Sequence, residues 1–87
     1  MSVKDAIRER LAALEPESIA VDDESALHAG HEGAKGGGGH YRLTLVSKQF
    51  AGQPLQARHR MVYAALQPLM NKDIHALAIH AYAPDEI

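Results

Sequence analysis

Cysteine and tryptophan are absent from this 87-residue sequence, and phenylalanine occurs once. Without cysteine, the chain forms no disulfide and holds no metal or cluster through thiolates of its own. Long apolar runs are also missing: none approaches the roughly 20 residues of a membrane-spanning helix, and the charged N-terminus has no signal-peptide segment. These absences predict a cytoplasmic protein without a membrane segment.

The chain also has little excess of charge of either sign. The net charge is −2 with neutral histidines, and lysine and arginine form no block. This balance disfavours a strongly electrostatic nucleic-acid binder but leaves room for a local basic patch. The apolar content of 46% and the charged content of 23% are ordinary for a soluble globular protein. A chain of 87 residues predicts a single domain over residues 1–87, with one sheet covered by helices on one face.

The first stretch has the pattern of an amphipathic helix. Apolar residues recur at helical spacing, with charged residues between them, at Val3, Ile7, Leu11 and Leu14. Ser2 and Asp5 have the spacing of a capping box, in which side-chain oxygens accept hydrogen bonds from first-turn amides. Pro16 does not continue a helix and disfavours helical geometry at the residue before it. We predict a helix from Val3 to Leu14.

A second apolar stripe lies in the C-terminal half. Its residues follow one another at spacings of seven, four and three positions: Leu55, Val62, Leu66 and Leu69. Pro68 lies inside this pattern, where it removes a backbone donor and crowds the carbonyl of Ala64. We therefore expect the helix to kink or tighten there. Asn71 and Asp73 are expected to end it.

Three segments are predicted to be strands: Ser18–Asp22, His40–Ser47 and the apolar segment from Ile74 to Ala81, after which Pro84 ends the sheet. The second is the clearest, because Tyr41, Leu43 and Leu45 alternate with polar residues. In the last strand, the same alternation groups His75 with Leu77 and Ile79. Phe50 is expected to close the edge of the core.

The segment between the first two strands, Asp23 to Gly39, differs in composition from the rest of the chain. It is acidic at its start, carries His28 and His31, and ends in four consecutive glycines. Glycine has the greatest backbone freedom and no side chain to bury, so this composition predicts a mobile loop. The loop is longer than a plain hairpin linker requires, which favours a functional loop or one that becomes ordered on binding.

The order of the predicted elements is helix, strand, strand, helix, strand. Three strands with both helices on one face make an α+β two-layer sandwich. The second helix lies between the second and third strands, so it can serve as the crossover that places them parallel, with the first strand antiparallel. We therefore predict a three-stranded mixed sheet.

Several runs of residues together resemble the BolA family: Phe50-x-Gly52, Arg58-His59-Arg60-x-Val62-Tyr63 and Ile74-His75-Ala76-Leu77. The Asp23-Glu24-Ser25 start of the loop and the strand from His40 to Ser47 resemble this family too, so the likeness covers nearly the whole chain. The resemblance implies a class II KH-like α+β fold with a three-stranded mixed sheet, which agrees with the predicted order of elements.

The resemblance also implies a function. Members of the family act as small non-enzymatic partners of monothiol glutaredoxins that have a Cys-Gly-Phe-Ser active site. The two proteins share a [2Fe–2S] cluster, with glutathione supplied by the glutaredoxin, in iron–sulfur trafficking or iron regulation. In this family the cluster ligands correspond here to His75 and to a loop residue, His28, with His31 as the alternative. Without its partner we expect a monomer or a weak homodimer.

The chemistry of the chain is consistent with a shared cluster, because histidines can replace two of the cysteines that normally hold one. A chain without cysteine needs a partner's thiolates to complete such a site. From the residues alone, however, a plainer interpretation of His75 is favoured, namely a histidine at the mouth of a strand that bonds to the backbone. His40 and His80 are expected to be structural or surface residues.

A second function class is a nucleic-acid-binding transcriptional regulator that uses the KH-like fold. Arg58 and Arg60 at a helix start are candidate phosphate contacts, but a solvated face or a helix-anchoring ion pair is favoured for them. Nucleic-acid-binding KH domains clamp the backbone with a Gly-x-x-Gly loop, of which only Gly52 is near the matching turn. An enzyme is not expected, because no arrangement of nucleophile, base and orienting group is recognisable.

Overall fold

The computed structural model describes residues 2–24, 39–70 and 72–87. The main elements follow the predicted order: helix α1 at Val3–Leu11, strand β1 at Ser18–Asp23, strand β2 at Gly39–Val46, helix α2 at Leu55–Met70 and strand β3 at Ile74–Tyr82. Short 3₁₀ turns cover Ala12–Leu14, Lys48–Phe50 and Pro84–Glu86. Most of the predicted Asp23–Gly39 loop, with His28 and His31, lies outside the described residues, and its two end residues belong to β1 and β2.

Helix α1 begins at the predicted capping box. The Oγ of Ser2 accepts a hydrogen bond from the amide of Asp5 at 3.1 Å, and the Asp5 carboxylate accepts one from the amide of Ser2 at 3.5 Å. The predicted end at Leu14 is reached through a 3₁₀ turn rather than an α-helical one. Glu15 then takes a left-handed conformation with φ of 49°, because the following Pro16 disfavours right-handed helical geometry at this position.

The sheet has the order β1-β2-β3 and is mixed, as predicted. β1 and β2 pair antiparallel, with Ile19 opposite Leu45. β2 and β3 pair parallel, with Leu43 opposite Ile79, and α2 makes the crossover between them. β2 ends at Val46, one residue before its predicted end at Ser47. Ser47 instead caps the next turn, where its side chain accepts a hydrogen bond from the amide of Gln49.

Both helices and one face of the sheet enclose a single core in the described residues. Its buried members are Ile7, Leu11, Leu14, Val21, Tyr41, Leu43, Leu45, Phe50, Val62, Leu66, Ile74, Ala81 and Ala83. This confirms the predicted placement of Phe50. None of the helices in the described ranges is long and apolar enough to cross a membrane.

The apolar stripe of α2 is confirmed except at its first residue. Val62 and Leu66 are fully buried, whereas Leu55 is 62% exposed, so its predicted place in the core is wrong. The buried position at this end of the helix is taken by Arg58, one turn further on. The helix continues through Pro68, which lacks the amide that would donate to the carbonyl of Ala64, and ends two residues later at Met70.

Candidate functional site

His75 lies at an irregularity in the pairing of β3 with β2. Gly39 is opposite Ile74, and the next residue, His40, is already opposite Ala76, so His75 is passed over in the register. Such a bulge re-aims side chains and breaks the alternation of faces. Ile74 before it is buried, whereas His75 is exposed. The sequence grouped His75 with Leu77 and Ile79, but these two pack against the core and His75 does not.

The ring of His75 lies beside the ring of His40. The two ring centroids are 5.2 Å apart, and the ring planes are tilted by 46°. Because β2 and β3 are parallel, their first residues meet at the same end of the sheet. The structure therefore forms a histidine pair, His40 and His75, which the sequence interpretation of His40 as structural or surface did not foresee.

A shallow cavity of about 280 Å³ lies at this end of the sheet, lined by Glu24, His40, Tyr41, Ala76, Leu77 and Ala78. Glu24 is fixed there from two sides. Its amide donates to the carbonyl of His40 at 2.7 Å, and its carboxylate lies 3.1 Å from the guanidinium of Arg42. The chain therefore leaves the sheet, toward the undescribed segment, from a fixed point beside the histidine pair.

Tyr41 packs beneath the same end of the sheet. Burial raises the pKa of its phenol, and the nearby carboxylates of Asp23 and Asp73 raise it further. The backbone of Gly39 lies against this ring so closely that an added Cβ would be 2.5 Å from it. A side chain larger than that of glycine at this position would therefore require the buried ring of Tyr41 to shift.

Residues 2–24, 39–70 and 72–87, which the structure describes, hold no complete set of metal-ligating side chains. No group of three or more histidine, cysteine, aspartate or glutamate side chains converges on one point within these residues. The predicted ligand His75 is exposed, and His40 is its structural neighbour. The other predicted ligands, His28 and His31, lie outside the described part of the chain.

Arg58 is part of the fold rather than a free cation. Its Nε donates to the carbonyl of Gln53 at 2.8 Å, and Nη1 donates to the carbonyl of Ala81 at 3.0 Å. Nη1 and Nη2 also donate to the two carboxylate oxygens of Glu86, at 2.6 and 2.7 Å. Its candidacy as a phosphate contact is therefore not supported, because four of its five N–H donors are used internally. The structure instead has the helix-anchoring ion pair.

The ion pair shifts the pKa of both partners away from their ordinary values. The hydrogen bonds from Arg58 lower the pKa of Glu86 to about 2, and the amide of Ala83, which donates to the same carboxylate, lowers it too. The hydrogen bond to Glu86 raises the pKa of Arg58. Arg60, the other predicted cation, is exposed instead. It lines an open groove on α2 together with Tyr63, Ala64, Gln67 and Met70.

A mixed three-stranded sheet, two helices on one face and a histidine pair at the start of the parallel strands define a small histidine-bearing α+β domain. A family model described as "BolA-like protein" matches residues 11–86 of this chain. The chain belongs to this family.

Curated relatives and solved structures agree with this assignment. The chain is 40% identical to "SufE-like protein 1, chloroplastic/mitochondrial" of Arabidopsis thaliana, over 93% of this chain but only 24% of that protein. It is 37% identical to "DNA-binding transcriptional regulator BolA" of Escherichia coli, over 99% of this chain and 80% of the relative. The solved structure of BolA1 from Arabidopsis thaliana superposes with a TM-score of 0.85 at 34% identity, covering 100% of this chain and 98% of the other.

Proposed function

We propose that this chain is a cytoplasmic, non-enzymatic adaptor that binds a monothiol glutaredoxin and shares a [2Fe–2S] cluster with it, in iron–sulfur trafficking or iron regulation. The observation that carries the proposal is the pair of imidazoles, His75 beside His40, at an open end of the sheet. The chain has no cysteine, so the remaining ligands come from the thiols of the glutaredoxin and its glutathione.

The donor set of this chain suits one iron of such a cluster. Two histidines can take the place of two cysteines on a single iron, and His75 is the first of them. The cluster, when bound, supplies a redox-active and transferable iron–sulfur unit. The residues of the chain bind and orient it: the bulge exposes His75, and Tyr41 against Gly39 fixes the start of β2 beside it.

The second ligand is His28, with His31 as the alternative, and the structure adds His40 as a third candidate. The amide of Glu24 is hydrogen-bonded to the carbonyl of His40, which fixes Glu24 in place. His28 comes four residues after Glu24, and four residues of extended chain span at most about 14 Å. His31 is seven residues from the same point and is also within reach. His40 already lies at the ring of His75.

The test is anaerobic cluster reconstitution of a monothiol glutaredoxin with glutathione, titrated with this chain and followed by visible circular dichroism. We expect a new spectrum that saturates at one-to-one and is lost in His75→Ala. Separate His28→Ala, His31→Ala and His40→Ala variants identify the second ligand by the largest spectral change. His80→Ala, an exposed histidine further along β3, is the matched control and leaves the spectrum unchanged. No spectral change on titration refutes the proposal.

A second candidate function is nucleic-acid binding, favoured by the name of the Escherichia coli relative and by the exposed Arg60 in its open groove. The test is DNA affinity measured over a series of salt concentrations. A phosphate contact made by Arg60 predicts that Arg60→Ala reduces the slope of log affinity against log salt by about 0.9. Lys48→Ala, an exposed cation away from the groove, is the control. Equal slopes for all three proteins remove Arg60 from a DNA interface.

A further inference from the structure

The two edges of the sheet differ in their protection against pairing with another strand. β1 ends in Asp22 and Asp23. β3 runs for nine residues, Ile74–Tyr82, without a lysine, arginine, aspartate, glutamate or proline. Edge strands of soluble proteins usually carry charges or prolines that oppose pairing with a second chain. The β3 edge carries only the bulge at its start, and in the described part of the chain β2 is its single neighbouring strand.

The backbone groups that face the open edge of β3 follow from the hydrogen bonds around it. The carbonyl of Tyr82 accepts from the amide of Ser47, which follows β2, so the backbone of Tyr82 points toward β2. By alternation along the strand, the backbone groups of Leu77, Ile79 and Ala81 point to the other edge. The carbonyl of Ala81 is held there by Arg58. This leaves Leu77 and Ile79 as the residues that present both an amide and a carbonyl to the edge.

We propose that this edge binds a second copy of the chain, through antiparallel pairing of the two β3 strands about a two-fold axis at Ala78. In this register, Leu77 of each copy is opposite Ile79 of the other. The amide and carbonyl groups of Leu77 and Ile79 that point to the edge therefore each meet a complementary group. A two-fold interface uses the same surface on both copies. Leu77 and Ile79 satisfy this symmetry, because each residue lies opposite the other across the axis. The proposal is independent of the proposed cluster-sharing function.

Charge and side-chain size favour pairing of β3 with a second copy of itself. Because β3 carries no charged side chain while its histidines are neutral, pairing it with itself places no like charges opposite each other. The residue on the axis, Ala78, is small and exposed, so the two copies approach there without obstruction. Pairing over so short a segment buries less than the roughly 1,200–2,000 Å² of a stable interface, and the dimer is therefore weak and depends on concentration.

The test is sedimentation equilibrium of the full chain over a concentration series from micromolar to millimolar. We expect the average mass to rise toward that of a dimer. Ala78→Lys and Ala78→Glu each place like charges opposite one another across the axis and weaken association by at least about fivefold. An equimolar mixture of the two variants pairs lysine with glutamate and restores association. Ala20→Lys, an exposed substitution on β1, is the matched control and leaves association unchanged.

Ile79→Pro supplies an independent variant. Proline removes an amide that points to the open edge and none that bonds β2, so association is lost while far-ultraviolet circular dichroism remains that of the folded chain. The proposal is overturned by a monomer at every concentration. It is also overturned by dimers that persist in both Ala78 variants, or by an Ala20→Lys effect as large as that of Ala78→Lys.

Discussion

At the scale of single residues, Ser47 joins two parts of the chain that are distant in sequence. Its buried hydroxyl donates to the carbonyl of Leu14, at the end of the first helical segment, at 2.6 Å. The same oxygen accepts from the amide of Gln49 at 3.1 Å. The Ser47 side chain therefore supplies a hydrogen-bond donor to a carbonyl that the 3₁₀ turn leaves without one. It also caps the turn that contains Phe50.

Ser47→Ala is expected to lower the free energy of unfolding by about 1–3 kcal/mol, because it leaves the buried carbonyl of Leu14 without a donor. Urea denaturation followed by circular dichroism measures the change. Ser18→Ala removes an exposed hydroxyl at the start of β1 and is expected to change stability by no more than about 0.5 kcal/mol. Equal effects of the two substitutions would contradict the role given to Ser47.

Gly39 and Gly52 are expected to resist substitution for different reasons, and alanine variants of the two positions distinguish these reasons. At Gly39 an added Cβ meets the ring of Tyr41, so Gly39→Ala is expected to cost about 1–3 kcal/mol through overpacking. It also shifts the NMR resonances of Tyr41 and His40. At Gly52 nothing lies within 4 Å of an added Cβ, but φ is +76°.

Gly52→Ala is therefore expected to cost about 1–2 kcal/mol through backbone strain alone, with the resonances of Tyr41 unchanged. Gly52→Asn recovers part of this loss, because asparagine tolerates left-handed conformations better than alanine does. Urea denaturation gives the energies, and heteronuclear spectra give the location of the change. A Tyr41 shift in the Gly52 variants, or none in Gly39→Ala, would reverse the assignment.

At the scale of elements, the Arg58–Glu86 ion pair ties the start of α2 to the turn that follows β3. The carboxylate of Glu86 has a folded-state pKa of about 2, against an ordinary value of 4.5. A lowered pKa means that the stabilisation is complete above about pH 4.5 and is lost as the pH falls through about 2. At neutral pH the ion pair is therefore fully formed.

We expect the thermal midpoint of the wild-type chain to fall between pH 4.5 and 2, and that of Glu86→Gln to fall less, from a lower starting value. Glutamine keeps the size of the side chain but is not a charged acceptor for Arg58. Glu9→Gln, an exposed change on α1, is the control and keeps the wild-type profile. Parallel profiles for the wild type and Glu86→Gln would show that Glu86 does not contribute to acid sensitivity.

The elements themselves were largely predictable, because periodicity and capping are local properties of the sequence. The Ser2–Asp5 box, the antiparallel pairing of β1 with β2 and the parallel crossover were all predicted and are confirmed. The bulge at His75 was not, because a bulge is a property of the register between two strands and not of either one alone. The neighbouring His40 was available to inference: two parallel strands that each begin near a histidine place both residues at one end of the sheet.

At the scale of the whole molecule, burial depends on where the layers meet. Leu55 and Leu66 belong to one apolar stripe in the sequence, yet Leu55 is 62% exposed and Leu66 is fully buried. Arg58, which was not part of the predicted stripe, is the buried residue at this end of the helix, and its partners on β3 and in the last turn explain its burial. These partners are more than 20 residues away, and no local pattern reveals them.

Leu66→Ala is expected to lower the free energy of unfolding by about 2–5 kcal/mol, because it opens a cavity in the core shared by both helices and the sheet. Leu55→Ala on the same helix is the matched control, with an expected change within about 0.5 kcal/mol. Urea denaturation of the two variants checks both values. Comparable losses would mean that Leu55 is buried in solution.

The parallel crossover has a consequence for the order in which the histidine pair is assembled. His40 and His75 lie in strands separated by the whole of α2, so their rings are neighbours only while β3 is paired with β2. Contacts between distant parts of a chain form slowly, because closing the long intervening segment costs conformational entropy before the contact forms. A chain still emerging from the ribosome, or one that has lost its last strand to local unfolding, presents two separate imidazoles. A spectroscopic signal that depends on the distance between the two rings would therefore report whether the last strand is in place.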